Sequence, residues 1–247
     1  MQEREKLREL IDKSGNIVFF GGAGTSTESG IPDFRGVDGL YRTQWEYPPE
    51  IILSHGFFLA RPEEFYRFYR EKLLLDGVGP NPAHRALARL ERMGKLSAVI
   101  TQNIDGLHQA AGSRKVLELH GSIHRNYCMA CGRRFSLEDV RRQAGVPRCP
   151  CGGVIRPDVV LYEEGLDQDV VQEAVEAISR ADLLIIGGTS LAVYPAAGLI
   201  NYYRGQELVL INRDATPADG RATLLFREPI GRVLSSCVDG EEQEDVQ

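Results

Sequence analysis

No stretch of this 247-residue sequence reaches the ~20 consecutive apolar residues that a membrane-spanning helix requires, so no membrane partner is expected. Its first residues, Met1-Gln-Glu-Arg-Glu-Lys-Leu-Arg-Glu-Leu-Ile, mix charges at helical spacing where a secretory leader needs an apolar core. The expectation is a cytoplasmic protein. Cysteine is scarce as well: of five, four fall between positions 128 and 151 and Cys237 stands apart, which is not the spread of a secreted disulfide framework. Positive charge is in deficit, with 29 Lys+Arg against 35 Asp+Glu and a net charge of −6. An acidic surface gains nothing from releasing counterions off a phosphate backbone, so direct nucleic-acid binding is not expected. Internal repeats and low-complexity segments are missing too, and the acidic run from Asp239 to Asp245 reads as a frayed tail.

What is there is an ordinary globular composition, 43% hydrophobic and 26% charged, at a length that allows one large α/β domain with a small insert. Leu7, Leu10 and Ile11 predict a short opening helix. Buried strands are predicted at 16–20, 97–101, 116–119, 182–187, 207–211 and 222–226, and helices at 62–75, 82–93, 168–179, 195–204 and 228–236. Asn81 before Pro82 fits an N-cap followed by proline at the first helical position. This alternation predicts a mostly parallel sheet covered on both faces. Two stretches interrupt it: residues 36–80, with aromatics, prolines and one predicted helix, and residues 123–157, with the clustered cysteines. The predicted division is a larger domain from 1–35, 81–122 and 158–247, and a smaller second domain from the helical insert 36–80 and the cysteine-bearing insert 123–157.

Cys128-x-x-Cys131 and Cys149-x-Cys151 have seventeen residues between the pairs, a spacing that closes two knuckles on one tetrahedral Zn²⁺. Gly132 and Gly152-Gly153 help the turns. Four thiolates leave no position for water or substrate, so such a metal is structural. The second pair has one intervening residue where a zinc ribbon usually has two.

The strand ending at Phe20 feeds directly into Gly21-Gly-Ala-Gly24, but position 27 is Thr27, so the three-glycine dinucleotide fingerprint fails. The continuation through Thr25-Ser-Thr-Glu-Ser-Gly-Ile-Pro-Asp-Phe-Arg35 is too long and polar for a plain connection. Its backbone amides and the hydroxyls of Thr25, Ser26 and Thr27 could cradle a pyrophosphate, with Arg35 as a cation and Phe34 as a planar cover. Other strand ends carry Gln102-Asn-Ile-Asp105, His120-Gly121, Thr189-Ser190 and Asn212, and in open parallel sheets the ligand crevice lies outside those ends.

These residues, with Gly30-Ile-Pro-Asp-Phe-Arg35, Leu119-His-Gly121 and Arg156-Pro-Asp-Val-Val160, resemble the sirtuins in kind and order over nearly the whole chain. The resemblance implies a Rossmann-like domain with a zinc-ribbon and helical small domain, NAD as co-substrate, structural Zn²⁺, and acylated-lysine proteins or peptides as substrates. The implied reaction releases nicotinamide, free lysine and O-acyl-ADP-ribose. Carried over by position, Gly22, Ala23, Gly24, Thr27, Phe34, Arg35, Gln102, Thr189, Ser190, Asn212, Arg213 and Ile230 would contact NAD, and Ile104 with Asp105 would receive the nicotinamide carboxamide. His120 would be the general base, since an imidazole titrates near neutrality, and Asn103 would orient a water or the ribose. Val159-Val160-Leu161-Tyr162 would pair with the substrate peptide by strand addition. Tyr162-Glu163-Glu164 departs from the more familiar Phe-Gly-Glu and would add a charge near the entrance that disfavours acidic peptides, the alternative being a buried strand that ends at a solvated Glu pair. His55, His84 and His124 are expected on surfaces or in local hydrogen bonds, and His108 as a brace for the Asp105 loop.

Sirtuins that prefer dicarboxylic acyl groups carry Tyr-x-x-Arg near the acyl pocket, whereas Tyr69 is followed here by Lys72, which lacks the bidentate fork. The expectation is a deacetylase that also admits longer neutral acyl groups and is weak on succinyl-lysine, with Tyr66, Phe68 and Tyr69 equally readable as core or hinge aromatics. Competing readings are protein mono-ADP-ribosyl transfer, NAD hydrolysis and a non-catalytic NAD-sensing scaffold. The set Asn103, Asp105 and His120 weighs against the last. A hydride-transferring dehydrogenase is disfavoured by the missing third glycine and the missing downstream ribose-binding acid.

Overall fold

The computed structural model describes residues 2–34, 39 and 45–238; Arg35 and the acidic tail lie outside them. The chain runs α1 (Gln2–Lys13), β1 (Ile17–Gly21), α2 (Pro49–Ile52), α3 (His55–Ala60), α4 (Pro62–Lys72), α5 (Pro82–Arg92), β2 (Leu96–Thr101), α6 (Leu107–Ala110) and β3 (Val116–Glu118). It continues through β4 (Gly121–Cys128), β5 (Arg134–Ser136), α7 (Leu137–Arg141), β6 (Ile155–Val159), α8 (Gln168–Arg180), β7 (Leu183–Gly187), β8 (Glu207–Ile211), β9 (Leu224–Phe226) and α9 (Ile230–Val238).

Strand β1 is apolar or glycine at every position, and successive strand side chains face opposite sides, so it needs cover on both faces. It has that cover. The main sheet is six-stranded in the order β3-β2-β1-β7-β8-β9 with parallel pairing throughout. Ile17, Phe19, Val99, Ile185 and Val209 pack with Leu7, Leu87 and Leu234 from α1, α5 and α9 on one face. Val18, Phe20, Ile100, Ile186 and Leu210 pack with Ala174, Ile178 and Ile200 on the other. Each large aliphatic or aromatic side chain so buried contributes ~1.5–3 kcal/mol relative to exposure. Asn81 caps α5 as expected, accepting from the Ala83 and His84 amides.

Three segments differ from the sequence reading. The described residues between 45 and 80 hold three helices where one was expected, because Pro49, Pro62 and the Ser54 side chain, which accepts from the Phe57 amide, each start a new one. The stretch predicted as a helix at 195–204 is a 3₁₀ helix over Ala196–Tyr202, with the poor helix former Gly198 inside it. Residues 121–159 form a three-stranded antiparallel sheet, β5-β4-β6, in which β4 is too polar and β5, at three residues, too short to announce itself by alternation. Its core is shared with the helices before α5: Ile52, Phe58, Phe65, Tyr66 and Tyr69 pack with Cys128, Cys149, Ile155 and Leu161. Tyr66 and Tyr69 are 0% and 1% exposed, so the core reading of these aromatics holds.

Candidate active site

Strand order makes the cleft. From β1 the chain builds β2 and β3 to one side, while β7, β8 and β9 lie on the other, so the loops after β1 and β7 part at a switch point. Those loops approach so closely that only glycines fit. A Cβ on Gly24 would meet the Gly188 Cα at 2.8 Å, and one on Gly188, whose φ is +58°, would meet the Thr25 amide nitrogen at 2.2 Å. Beside them opens a cavity of about 360 Å³, walled by the ends of β1, β2, β7 and β8 on one side and by the segment after β6 on the other.

Most of the predicted site residues meet there. Gly22, Ala23, Gly24 and Phe34 come from the first loop, Gln102, Asn103, Ile104 and Asp105 from the end of β2, and His120 from the turn after β3. Thr189, Ser190 and Asn212 close the far side, and Val159, Val160, Leu161 and Tyr162 form the opposite wall. Thr27, Arg213 and Ile230 do not line the cavity. The Thr27 hydroxyl donates to the Gly24 carbonyl (3.0 Å), Arg213 is exposed, and Ile230 is buried in the core beneath Gly187. Nor do the loop hydroxyls form a phosphate cradle as a set. Thr25 is fully buried against the Gly187 carbonyl, and Ser26 donates to the Asp105 carboxylate at 2.6 Å.

Ser26 is the residue whose part the sequence reading missed. It receives the Asn103 side-chain amide at 3.0 Å while donating to Asp105, so one hydroxyl fixes both. The other Asp105 oxygen accepts from the Leu107 amide at the start of α6 (2.9 Å). Asn103 is held further by its own amide on the Thr101 hydroxyl. Nothing local signals this network, since Ser26 and Asp105 are 79 residues apart.

His120 has its Nδ1 2.9 Å from the Gln102 carbonyl. A carbonyl only accepts, so Nδ1 carries the proton and the lone pair lies on Nε2. Burial pushes the His120 pKa below its ordinary value, opposed by that hydrogen bond. A neutral imidazole with an open lone pair in a cleft is a proton acceptor. Gln102 in turn donates to the Thr189 hydroxyl (3.0 Å), joining the β2 and β7 ends.

The other histidines sit elsewhere. His84 is fully buried and makes a local hydrogen bond, the second of the two places expected for it: its Nδ1 accepts from the Asn81 amide as half of a capping box. Burial drives it to about 4, with the Asp105 charge opposing and Arg85 assisting. His108, 1% exposed, stacks edge-on against His84 with ring centres 4.7 Å apart, and burial drives it to about 3. It braces by packing. His124 reaches from β4 to the Asp105 carbonyl at 2.9 Å, and His55 sits 2.6 Å from Glu164.

The four predicted cysteine ligands converge. Sulfur separations are 3.5 Å for Cys128 and Cys151, 3.5 Å for Cys131 and Cys151, and 3.7 Å for Cys131 and Cys149, and all four lie within 4.8 Å of one another. Zn–S bonds of ~2.3 Å in a tetrahedron place sulfurs ~3.8 Å apart, so the donor set fits zinc despite the short second knuckle. Burial raises the Cys128 thiol, but hydrogen bonds from the Cys131 and Ala130 amides and the neighbouring thiols draw it down to about 6, toward the thiolate a metal needs.

Comparison with known proteins agrees with this geometry. The model of the Sir2 family matches residues 22–195. An NAD-dependent protein deacetylase of Clostridium acetobutylicum is 56% identical over 237 residues, covering 94% of this chain and 97% of its own. A solved Sir2 variant with a deacetylated p53 peptide and 3′-O-acetyl-ADP-ribose superposes with a TM-score of 0.88 at 41% identity, over 96% of this chain and 98% of that one. A Sir2 structure with p53 peptide and NAD⁺ gives 0.85 at 42% identity, over 97% and 98%.

Proposed function

The chain belongs to the Sir2 family and is an NAD-dependent protein lysine deacetylase, and we propose that His120 is its general base, with Asn103 and Asp105 ordering the same pocket. The observation that carries this reading is the His120 tautomer: Nδ1–H is spent on the Gln102 carbonyl, which leaves Nε2 as the acceptor on a side chain that lines the cleft. In the reaction, the acyl oxygen of acetyl-lysine takes the place of nicotinamide at C1′ of the ribose. His120 Nε2 then accepts the proton of the ribose hydroxyl that attacks the acyl carbon. With water, the products are free lysine, nicotinamide and O-acetyl-ADP-ribose.

Around that step the other residues bind and exclude. The loop from Gly22 to Gly24 brings backbone close to the cofactor's phosphates, and Gln102, Thr189, Ser190 and Asn212 face the rest of it. Asp105 and Ile104 receive the carboxamide, Asp105 already held rigid by Ser26 and Leu107. Phe34 covers the reacting centre and keeps water off it. Val159 to Tyr162 pair with the peptide main chain. Cys128, Cys131, Cys149 and Cys151 would hold one Zn²⁺ whose closed shell supplies structure and no chemistry.

The division into a nucleotide-binding unit and a smaller unit from 36–80 and 123–157 is supported by the separate core that joins those inserts. No described helix is long and apolar enough to cross a membrane. The net charge of −6 and the gathering of four of the five cysteines at one metal site, in place of a disulfide framework, support a cytoplasmic enzyme acting on proteins without direct nucleic-acid binding.

The test is mass spectrometry of an acetyl-lysine peptide incubated with the enzyme, with and without NAD, beside a His120→Ala variant. We expect NAD-dependent deacetylation yielding O-acetyl-ADP-ribose, reduced ~10²–10⁴-fold in the variant, the usual weight of a general base. NAD consumed while the peptide stays acetylated would point instead to ADP-ribosyl transfer or hydrolysis.

A further inference from the structure

All but the first residue of the peptide-receiving segment lies beyond the small sheet. Strand β6 ends at Val159, and residues 160–162 must still present a straight edge to an extended peptide. Their hydrogen bonds show what keeps them straight. The Val160 amide donates to the carbonyl of His120 (3.0 Å), which links the segment to the base. The Tyr162 amide donates to Leu53, and the His55 amide donates back to Tyr162, so residues 53–55 of the helical insert run alongside it in a parallel bridge. The remaining bonds converge on one carboxylate.

Glu164 accepts from Arg156 Nη1 (2.7 Å) and Nη2 (2.9 Å), from the Leu161 amide (2.8 Å) and from His55 Nδ1 (2.6 Å). Arg156 is almost wholly buried, and its Nη2 also donates to the Val159 carbonyl at 2.9 Å. One ion pair thus fastens both ends of the loop between them, and His55, at the start of α3, ties that pair to the helical insert. The neighbouring Glu163 adds a second tie by accepting from the Gly56 amide (2.8 Å). Glu163 and Glu164 line the same cavity as the loops after β1, β7 and β8, but the bonds described here run to β6, its following segment and α3 and not to those loops.

We propose that Glu164 is a positioning residue that, by gripping Arg156 and His55 together, fixes the edge of Val159 to Tyr162, so that the helical insert sets affinity for the acyl-peptide independently of NAD. The inference rests on the reading of Val159 to Tyr162 as the peptide-binding edge. Its reach is into substrate binding and not chemistry, which separates it from a general stabilising role.

Equilibrium binding of a fluorescein-labelled acetyl-lysine peptide, followed by anisotropy without NAD, tests it alongside steady-state KM for peptide and for NAD. His55 is partly exposed, so His55→Ala is expected to fold. It should weaken peptide binding and raise peptide KM roughly tenfold, the weight of one charge-assisted hydrogen bond, with KM for NAD and kcat within about twofold. His55→Gln, whose amide N–H can donate to the same carboxylate, should recover most of the loss, and Glu164→Gln should lose more than His55→Ala. Unchanged peptide binding in His55→Ala, an equal rise in both KM values, or no recovery in His55→Gln would overturn the proposal. A wild-type enzyme that binds the peptide but does not turn it over would overturn the reaction and leave the clamp to be judged by binding alone.

Discussion

At Glu163 a side chain stands where the backbone is left-handed, with φ of +76°. For a residue with a Cβ that conformation costs ~1–2 kcal/mol, and the hydrogen bond to the Gly56 amide returns an amount of the same order. The carboxylate is therefore engaged with α3, which qualifies the expectation of a charge simply added at the entrance. Glu163→Ala keeps the strain and loses the bond, whereas Glu163→Gly loses both. We expect the alanine variant to be about 1 kcal/mol less stable than wild type in urea unfolding, and the glycine variant to be within about 0.5 kcal/mol. Glycine no better than alanine would mean that the backbone is not strained. His120 gives a second expectation at this scale. Its pKa lies below the ordinary histidine value because it is buried, and only the neutral form accepts a proton. The acidic limb of kcat/KM should therefore fall below pH ~6.5. A limb centred above 7 would contradict the assignment of the base.

Between α5 and α6 the buried pair His84 and His108 carries a consequence for acid stability. Both are neutral in the folded state down to about 4 and about 3, while in the unfolded chain they protonate near 6.5. Above pH ~6.5 neither state binds these protons, so folding is unaffected by them. As pH falls below that value the unfolded chain gains protons that the folded one refuses, and stability drops by ~1.4 kcal/mol per pH unit for each histidine until the depressed values are reached. Burial raises the Glu164 carboxyl, but the bonds from Arg156, Leu161 and His55 outweigh it and draw it down to about 2, so this residue adds nothing to the decline above pH ~4.5 and a loss of its own below it, where only the unfolded chain takes up the proton. Urea titrations at pH 7.5, 6 and 5 should show the decline, and His108→Leu should flatten it. An undiminished slope in that variant would place the acid sensitivity elsewhere. The sequence placed these residues on α5 and beyond Asp105, yet gave no sign that two histidines 24 positions apart share one buried site, because burial is a property of the neighbours.

Over the whole molecule the cysteine cluster and the two sheet cores are separate. Cys128 and Cys149 belong to the core shared by the helical and cysteine-bearing inserts, and neither core of the main sheet contains a metal-ligating residue. Structural zinc contributes on the order of 10 kcal/mol to small modules of this kind. We expect one zinc per chain by native mass spectrometry. After chelation, hydrogen exchange should accelerate in β4, β5 and β6 while β1, β7 and β8 stay protected, and peptide binding should be lost. Simultaneous loss of protection in both sheets would show a single cooperative unit. The sequence by itself determined the parallel sheet, since continuous apolar strands alternating with amphipathic helices have few other ways to bury both faces. Motif order also located the cleft at the strand ends, from Gly22 to Asn212, and the thiol spacing chose the metal site. Only the tertiary structure decided that Ser26 orders Asn103 and Asp105, that Thr27 and Ile230 turn away from the cleft, and that Glu164 joins Arg156 to His55. Those contacts link residues distant in sequence through side-chain direction and burial, and neither is encoded in local periodicity.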